Sequence, residues 1–315
     1  VSLSMPSPLD IARREPANKV PIQVADHPEA QRDTIRRFAF FAYRGTDGLI
    51  GQEAGGRAWA DALEALSSLA EPEEWIGGAS SLVALPILDS YVRYTYQRLV
   101  MEDKIVTTAD NEYAAFNTGL LTQYTEDIFA LFQRNRHPSG QPWYFLRWAT
   151  ESDRDIMMHF PEAPQMTEYV TNAGDLVYDW RRDLKLNFEH ILGDNIERFP
   201  PELAKAPHRA RAAITAAIEV AIKRVRRNHK LVVPQWYPRL HDAGAQFLMP
   251  LDLTGDGKAD LALVVSAVGD SYRGNTVLTL EMAYTNARLV ARPDSEWLKP
   301  QAYPAGELDD VLVGG

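Results

Sequence analysis

The hydrophobic period of this chain changes near Lys104, and that change limits it to folds combining helices with an antiparallel sheet. Before Lys104 apolar residues recur at helical spacing. Ile35, Phe38, Ala39 and Ala42 form one stripe, and Trp59, Leu63, Leu66 and Leu69 a second. A third runs through Leu82, Leu85, Leu88, Tyr91, Val92, Thr95 and Leu99, with Pro86 near its start. Residues three or four apart share a helix face, so each stripe marks a side to be buried. After Lys104 come KIVT, YAAFNTGL, EDIFALF and WYFLRW. These runs are short, rich in β-branched and aromatic residues and separated by turn formers, as strands are.

The rest of the chain repeats the mixture. Residues 153–169 suit a short helix and a loop, while LVYDW and LKLNFEHIL fit either strand or helix. Pro201 to Asn228 reads as one helix buried along Ile214, Ile218, Ala221, Ile222 and Val225. LVVPQW, AQFLMPLDL, ADLALVVSA and NTVLTLEMAY form a second run of strands, with connections short enough for antiparallel pairing and a hairpin at Gly269–Gly274. No internal repeat is visible in the residues. The expectation is an α+β fold, a helical layer packed on a curved, mainly antiparallel β-sheet. Residues 1–28 are expected to be a flexible arm and 301–315 a tail. Residues 29–300 would be a single domain, divisible into a helical part, 29–103, and a strand-rich part, 104–300.

Composition narrows the function classes. Of 315 residues, 45% are hydrophobic and 24% charged, the balance of a soluble globular protein. No apolar run approaches the roughly 20 residues of a membrane helix, and the start, VSLSMPSPLD, lacks a signal-peptide pattern. There is no cysteine, hence no disulfide, thiolate nucleophile or cysteine metal site. The expectation is a cytoplasmic protein without a membrane partner. A net charge of -10 argues against general polyanion binding and leaves small nucleotides or a local basic patch. No cofactor is expected, because Walker, Rossmann and GxSxG patterns are absent and the histidines show no HExxH spacing.

Thr276 to Arg288, TVLTLEMAYTNAR, carries the strongest binding chemistry. Read as a strand, it places Leu278, Leu280 and Met282 on the face that Tyr284, Asn286 and Arg288 continue. A ring, an amide and a guanidinium suit a planar base bearing an anionic group; the alternative is a core strand with an exposed polar end. Asn117-Thr118-Gly119 suits a turn whose backbone N–H groups cradle an anion, or a plain turn. His190 lies among Asn187, Glu189, Asp194, Asn195 and Arg198 and could move protons, or simply cap a helix end. His159 has no evident partner in sequence and reads as structural.

Two charged segments compete with these. Asp252 to Asp260, DLTGDGKAD, is similar to the calcium loops of FG-GAP propeller repeats, although Thr254 replaces a better ligand and the loop occurs once. A hairpin turn explains it more simply. Lys223, Arg224, Arg226, Arg227 and Lys230 could hold phosphates, or complement the end of a helix.

AAFNTGL, DIFALFQRN, WYFLRW, LNFEHILGDNIERFP, NHKLVVPQWY, FLMPLDL, ADLALVV and TVLTLEMAYTNARLVARPDSEWL occur in this order. The set resembles an uncharacterised bacterial domain-of-unknown-function family over Phe38 to Leu298. That family's members often accompany OST-HTH and cold-shock RNA-binding modules, which implies a nucleotide- or RNA-related role by association. The matching positions with binding chemistry are Asn117, Thr118, His190, Asn195, Arg198, Gln235, Tyr284, Asn286 and Arg288. The leading expectation is a protein that recognises a nucleotide, a nucleoside or short single-stranded RNA, with hydrolysis of a phosphoester or N-glycosidic bond as its possible chemistry. Tyr284 would stack a base and Asn286 or Gln235 read its edge. Arg288 with Arg198 would hold phosphate, Thr118, Gly119 and Asn195 would complete the binding set, and His190, Arg198 and Asn117 would serve catalysis. Two rivals stay open: a non-catalytic RNA-binding or scaffold module using the basic run, and a metal-dependent hydrolase using the 252–260 loop.

Overall fold

Nearly continuous apolar runs such as YAAF, DIFALF and LALVV mark strands covered on both faces, and the structure covers them so. In the computed structural model, residues 34–46, 49–76, 85–138, 140–170, 172–237 and 246–299 are described. The expected arm and tail, and Leu82 of the third stripe, lie outside the described residues. The first half comprises α1 (Thr34–Phe38), β1 (Ala39–Phe40), α2 (Gly51–Leu69), α3 (Pro86–Met101), β2 (Val106–Thr107), β3 (Tyr113–Leu121), β4 (Asp127–Arg134), β5 (Trp143–Thr150) and α4 (Arg154–His159). The second comprises β6 (Leu184–Leu186), α5 (Phe188–Gly193), α6 (Pro201–Ala204), α7 (Pro207–Val225), β7 (Val233–Gln235), β8 (Gln246–Leu251), β9 (Leu261–Val268), β10 (Ser271–Leu278) and α8 (Leu280–Val290).

The fold is α+β, with two five-stranded sheets where the sequence suggested one. Their orders are β1-β5-β4-β3-β2 and β6-β10-β9-β8-β7. In each, the first strand pairs in parallel with the last, and the four later strands form an antiparallel meander. The two halves therefore share one topology. This repetition lies in connectivity and leaves no trace in the residues.

Alternation along the strands sorts side chains into layers. Ala114, Phe116, Ile128, Ala130 and Phe132 of the first sheet face the same core as Leu248, Ala262, Val264 and Leu278 of the second. Helices α2, α3 and α8 supply Leu63, Leu66, Leu88, Val92, Ala283 and Ala287 to that shared core. The opposite face of the first sheet packs Phe129 and Leu131 against Ile156 of α4. The opposite face of the second packs Phe247, Met249, Leu263 and Val265 against Ile214, Ala217 and Ile218 of α7. Each phenylalanine buried this way contributes roughly 1.5–3 kcal/mol relative to exposure.

Two expected elements are divided. The helix read over Pro201 to Asn228 breaks at Lys205–Ala206, because Pro207 has no N–H to continue it and instead opens α7. The strand read over Thr276 to Arg288 ends at Leu278. Thr279, extended at φ -63°, ψ 158°, accepts a hydrogen bond from the Met282 N–H on its Oγ1 and starts α8. Among the described residues no helix is long and apolar enough to cross a membrane.

Candidate functional site: a cleft between the two halves

The helical turn of α8 rearranges the group that a strand would have aligned. Tyr284 and Arg288, four residues apart, share one face, whereas Asn286 points elsewhere. The Arg288 guanidinium meets Glu73 in a bidentate pair, Nε to Oε1 at 2.5 Å and Nη2 to Oε2 at 2.9 Å. It also lies over the rings of Tyr91, at 4.6 Å, and Trp75, at 5.1 Å. The Tyr284 hydroxyl donates to Glu73 Oε1 at 3.4 Å. Burial is the largest single influence and works against the Arg288 charge, but the bond to Glu73 together with the charges of Tyr91, Glu73 and Tyr284 outweighs it and raises the guanidinium's pKa. Burial pushes the Tyr284 phenol up to about 12, assisted by Glu73. Tyr284 and Arg288 are therefore core groups tying α8 to the segment before α3, and neither is free to stack a base or grip phosphate.

Asn286 donates through Nδ2 to Gln235 Oε1 at 3.2 Å, Gln235 Nε2 to Gln246 Oε1 at 3.1 Å, and Gln246 Nε2 to Ser266 Oγ at 2.9 Å. This ladder crosses β7, β8 and β9 and satisfies buried amides within the protein.

The Asn117–Gly119 segment is part of β3, at an irregularity in its pairing with β4. Its N–H groups are not presented to an anion. Gly119 N–H donates to Asn117 Oδ1 at 2.8 Å, and Leu120 N–H to Thr118 Oγ1 at 3.2 Å. Thr118 Oγ1 in turn donates to Ile128 O at 2.7 Å, and Asn117 Nδ2 to Pro164 O at 3.3 Å. Gly119 takes φ +72°, and a Cβ there would sit 2.8 Å from the Tyr91 hydroxyl, which donates to Thr118 O at 2.9 Å. Close approach of α3 to β3 thus depends on this glycine.

A cavity of about 320 Å³ opens beside these groups. Its walls are Trp75 and Glu73 from the segment before α3, Tyr91 of α3, Gly119 and Leu120 of β3, Met166 and Tyr169 from the loop after α4, Leu176, and the end of α8 with Arg292. The Tyr169 loop is pinned: Arg98 Nη2 donates to Glu168 O at 2.8 Å, Lys104 Nζ to Met166 O at 2.9 Å, and Glu168 N–H to the Glu102 carboxylate at 3.0 Å. Two residues of the wall each carry a buried polar atom without a hydrogen-bond partner, the Trp75 Nε1–H and the Tyr169 hydroxyl, both closed off from solvent. Thr95 and Thr167 flank that hydroxyl without bonding geometry, and burial raises its pKa.

Of the site residues proposed from sequence, only Gly119 and Arg288 line this cavity. His190, Asn195 and Arg198 sit with α5 and its flanking turn, whose Ile191 and Phe199 pack on the opposite face of the second sheet. There the exposed His190 pairs with Asp194 through Nδ1. Asn195 Nδ2 donates to His190 O at 2.8 Å, Thr276 Oγ1 to Asn195 Oδ1 at 3.3 Å, and Arg198 Nη1 to Val277 O at 2.6 Å. Asn195 and Arg198 are tethers to β10. His159 stacks on Tyr113 at 4.0 Å.

The 252–260 loop joins β8 to β9 as a hairpin connection. Asp252 accepts from the N–H groups of Gly255, at 2.7 Å, and Gly257, at 3.0 Å, and Asp260 from those of Leu253, at 2.7 Å, and Thr254, at 3.0 Å. Among the described residues no three His, Asp or Glu side chains are grouped as metal ligands.

Glu73, Trp75, Tyr169 and Arg292 went unnoticed in sequence. A legible signal did exist for α8: Thr279 as an N-cap, followed by Leu280, Ala283, Tyr284 and Ala287 at helical spacing.

The geometry defines an α+β protein of duplicated topology with a cleft between its halves. The chain belongs to the family described as Domain of unknown function (DUF3825), whose model matches residues 66–297. No curated protein and no solved structure is similar to it at a significant level.

Proposed function

We propose that the cleft recognises a planar ligand of the nucleoside or nucleotide class, free or at the end of a short single-stranded RNA. The observation that carries this reading is a cavity of about 320 Å³ between the halves whose walls combine the side chains of Trp75, Tyr91 and Tyr169 with Arg288 and Arg292. The Tyr169 ring adds a flat aromatic wall, and Leu120, Met166 and Leu176 add apolar surface. An aromatic and apolar slot edged by guanidinium groups suits a heteroaromatic base, and the volume lies at the small end of ligand pockets, roughly 300–1,000 Å³. The resemblance to a family accompanying RNA-binding modules supports the same ligand class by association.

The proposal is one of recognition. His190, the acid/base group expected for a hydrolase, does not line this cleft, and Glu73 within it is committed to Arg288. Thermal shift of the full chain against the common nucleosides, their 5′-monophosphates and dinucleotides tests the reading. A ligand at about 100 times its Kd should stabilise the fold by about 2.7 kcal/mol, and Tyr169→Ala should abolish the shift. No rise in Tm with any of them at millimolar concentration would remove it.

A further inference from the structure

Beyond Arg292 the cleft continues into a second compartment. This cavity, of about 170 Å³, shares Leu176, Ala291 and Arg292 with the first and adds His229, Lys230 and Ser295. The two spaces differ in chemistry. The first holds the aromatic rings and the neutralised Glu73–Arg288 pair. The second is bordered by two cations and an imidazole, with Asp294 as the acidic group on its wall.

The cations are available to a ligand. Arg292 is exposed and makes no ion pair with a described residue. Lys230 Nζ contacts Asp294 at 2.9 Å, but both side chains are more than three-fifths exposed. Such a surface pair is weak and screened by solvent, so an incoming dianion can replace the carboxylate. The backbone around them is held firmly, with Ser295 Oγ donating to Lys230 O at 2.7 Å and Trp297 Nε1 to Leu231 O at 2.8 Å. The backbone at Lys230 is thus fixed to the 295–297 segment that follows Arg292, which spares a ligand the cost of ordering that backbone.

We infer that the second compartment receives the phosphates of a ligand whose base occupies the first, so that the protein selects nucleoside 5′-diphosphates or longer phosphate chains over nucleosides. The inference rests on the nucleotide reading of the cleft. In an acidic protein, two cations at the mouth of one cavity draw an anion toward that cavity. Arg292, shared by both spaces, would bridge the sugar-proximal phosphate, and Lys230 and His229 the terminal one.

Calorimetric titration of the full chain separates the inference from the reading beneath it. The probes are adenosine, guanosine, cytidine and uridine, their 5′-diphosphates, and inorganic pyrophosphate. One base should bind as the nucleoside, and its diphosphate about tenfold or more tightly, the gain of one charge-assisted hydrogen bond. In Arg292→Gln and in Lys230→Gln, both exposed and neutral toward folding, the ratio of the two affinities should fall toward one. Equal affinity for nucleoside and diphosphate, or a ratio unchanged in both variants, overturns the phosphate compartment and leaves the base cleft standing. Absence of binding by every nucleoside and diphosphate overturns both. Pyrophosphate binding as tightly as the diphosphate, with no nucleoside binding, also overturns the base-first arrangement.

Discussion

Glu73 and Arg288, 215 residues apart in sequence, meet in a buried bidentate ion pair that fastens the two halves of the fold together. Their side chains are 5% and 10% exposed, so solvent screens the pair little. Around it Trp75 and Tyr91 stack on the guanidinium, and Tyr284 hydrogen-bonds the carboxylate. All three groups lie on the cleft wall or directly behind it.

Removing one partner should cost far more than removing both. Glu73→Leu or Arg288→Met alone leaves a buried charge unpaired and should destabilise the protein by about 3–5 kcal/mol. The double variant should regain much of that loss, because two apolar side chains leave no charge to desolvate. Urea denaturation midpoints of the four proteins close the cycle, and simple additivity would show that the pair is not coupled.

Gly119→Ala should cost about 1–2 kcal/mol from its left-handed conformation alone. Its Cβ would also press on the Tyr91 hydroxyl, at 2.8 Å, and that contact disappears in Tyr91→Phe. The second substitution should therefore be less harmful in the Gly119→Ala background than in the parent. Thermal unfolding measures the coupling, and equal effects in both backgrounds would rule out the contact.

Thr279 separates the helical reading of residues 280–290 from the strand reading. Thr279→Val improves strand propensity but removes the cap, and should destabilise by about 1 kcal/mol, whereas Thr279→Asp should be near neutral. A stabilising valine would contradict the helix start. Amide protection of Ala283, whose N–H donates to Thr279 O at 2.9 Å, reports the same point independently.

High pH should unfold the protein cooperatively. Burial raises the phenol pKa of Tyr91, Tyr96, Tyr169 and Tyr178, and brings Tyr284 to about 12. The folded state holds these protons more tightly than the unfolded chain, whose tyrosines titrate near about 10. Stability is therefore unaffected below the unfolded value and falls as pH rises through and beyond it. Titration by phenolate absorbance should show an exposed class near the ordinary value, then a late class appearing together with loss of near-UV circular dichroism. A single transition near about 10 with the fold intact would contradict the burial of these rings.

What the sequence determined by itself was local. The stripes at Trp59–Leu66 and Ile214–Ile218, and the doubly apolar runs at Ala114–Phe116 and Leu261–Val265, declare their elements because helical and strand periods are properties of neighbouring residues. The α+β class followed from those elements. Their division into two sheets of one topology did not, since strand partners are chosen by chain connectivity and shared burial. The fate of Tyr284, Asn286 and Arg288 was likewise out of reach. A tyrosine, an amide and an arginine look like ligand-binding groups until their burial partners are known, and those partners, Glu73 and Gln235, come from distant parts of the chain. The desolvation cost of burying an arginine requires such a carboxylate. Only the tertiary structure could supply it, and in doing so it moved the candidate site from the face of a strand to the cleft beside a helix.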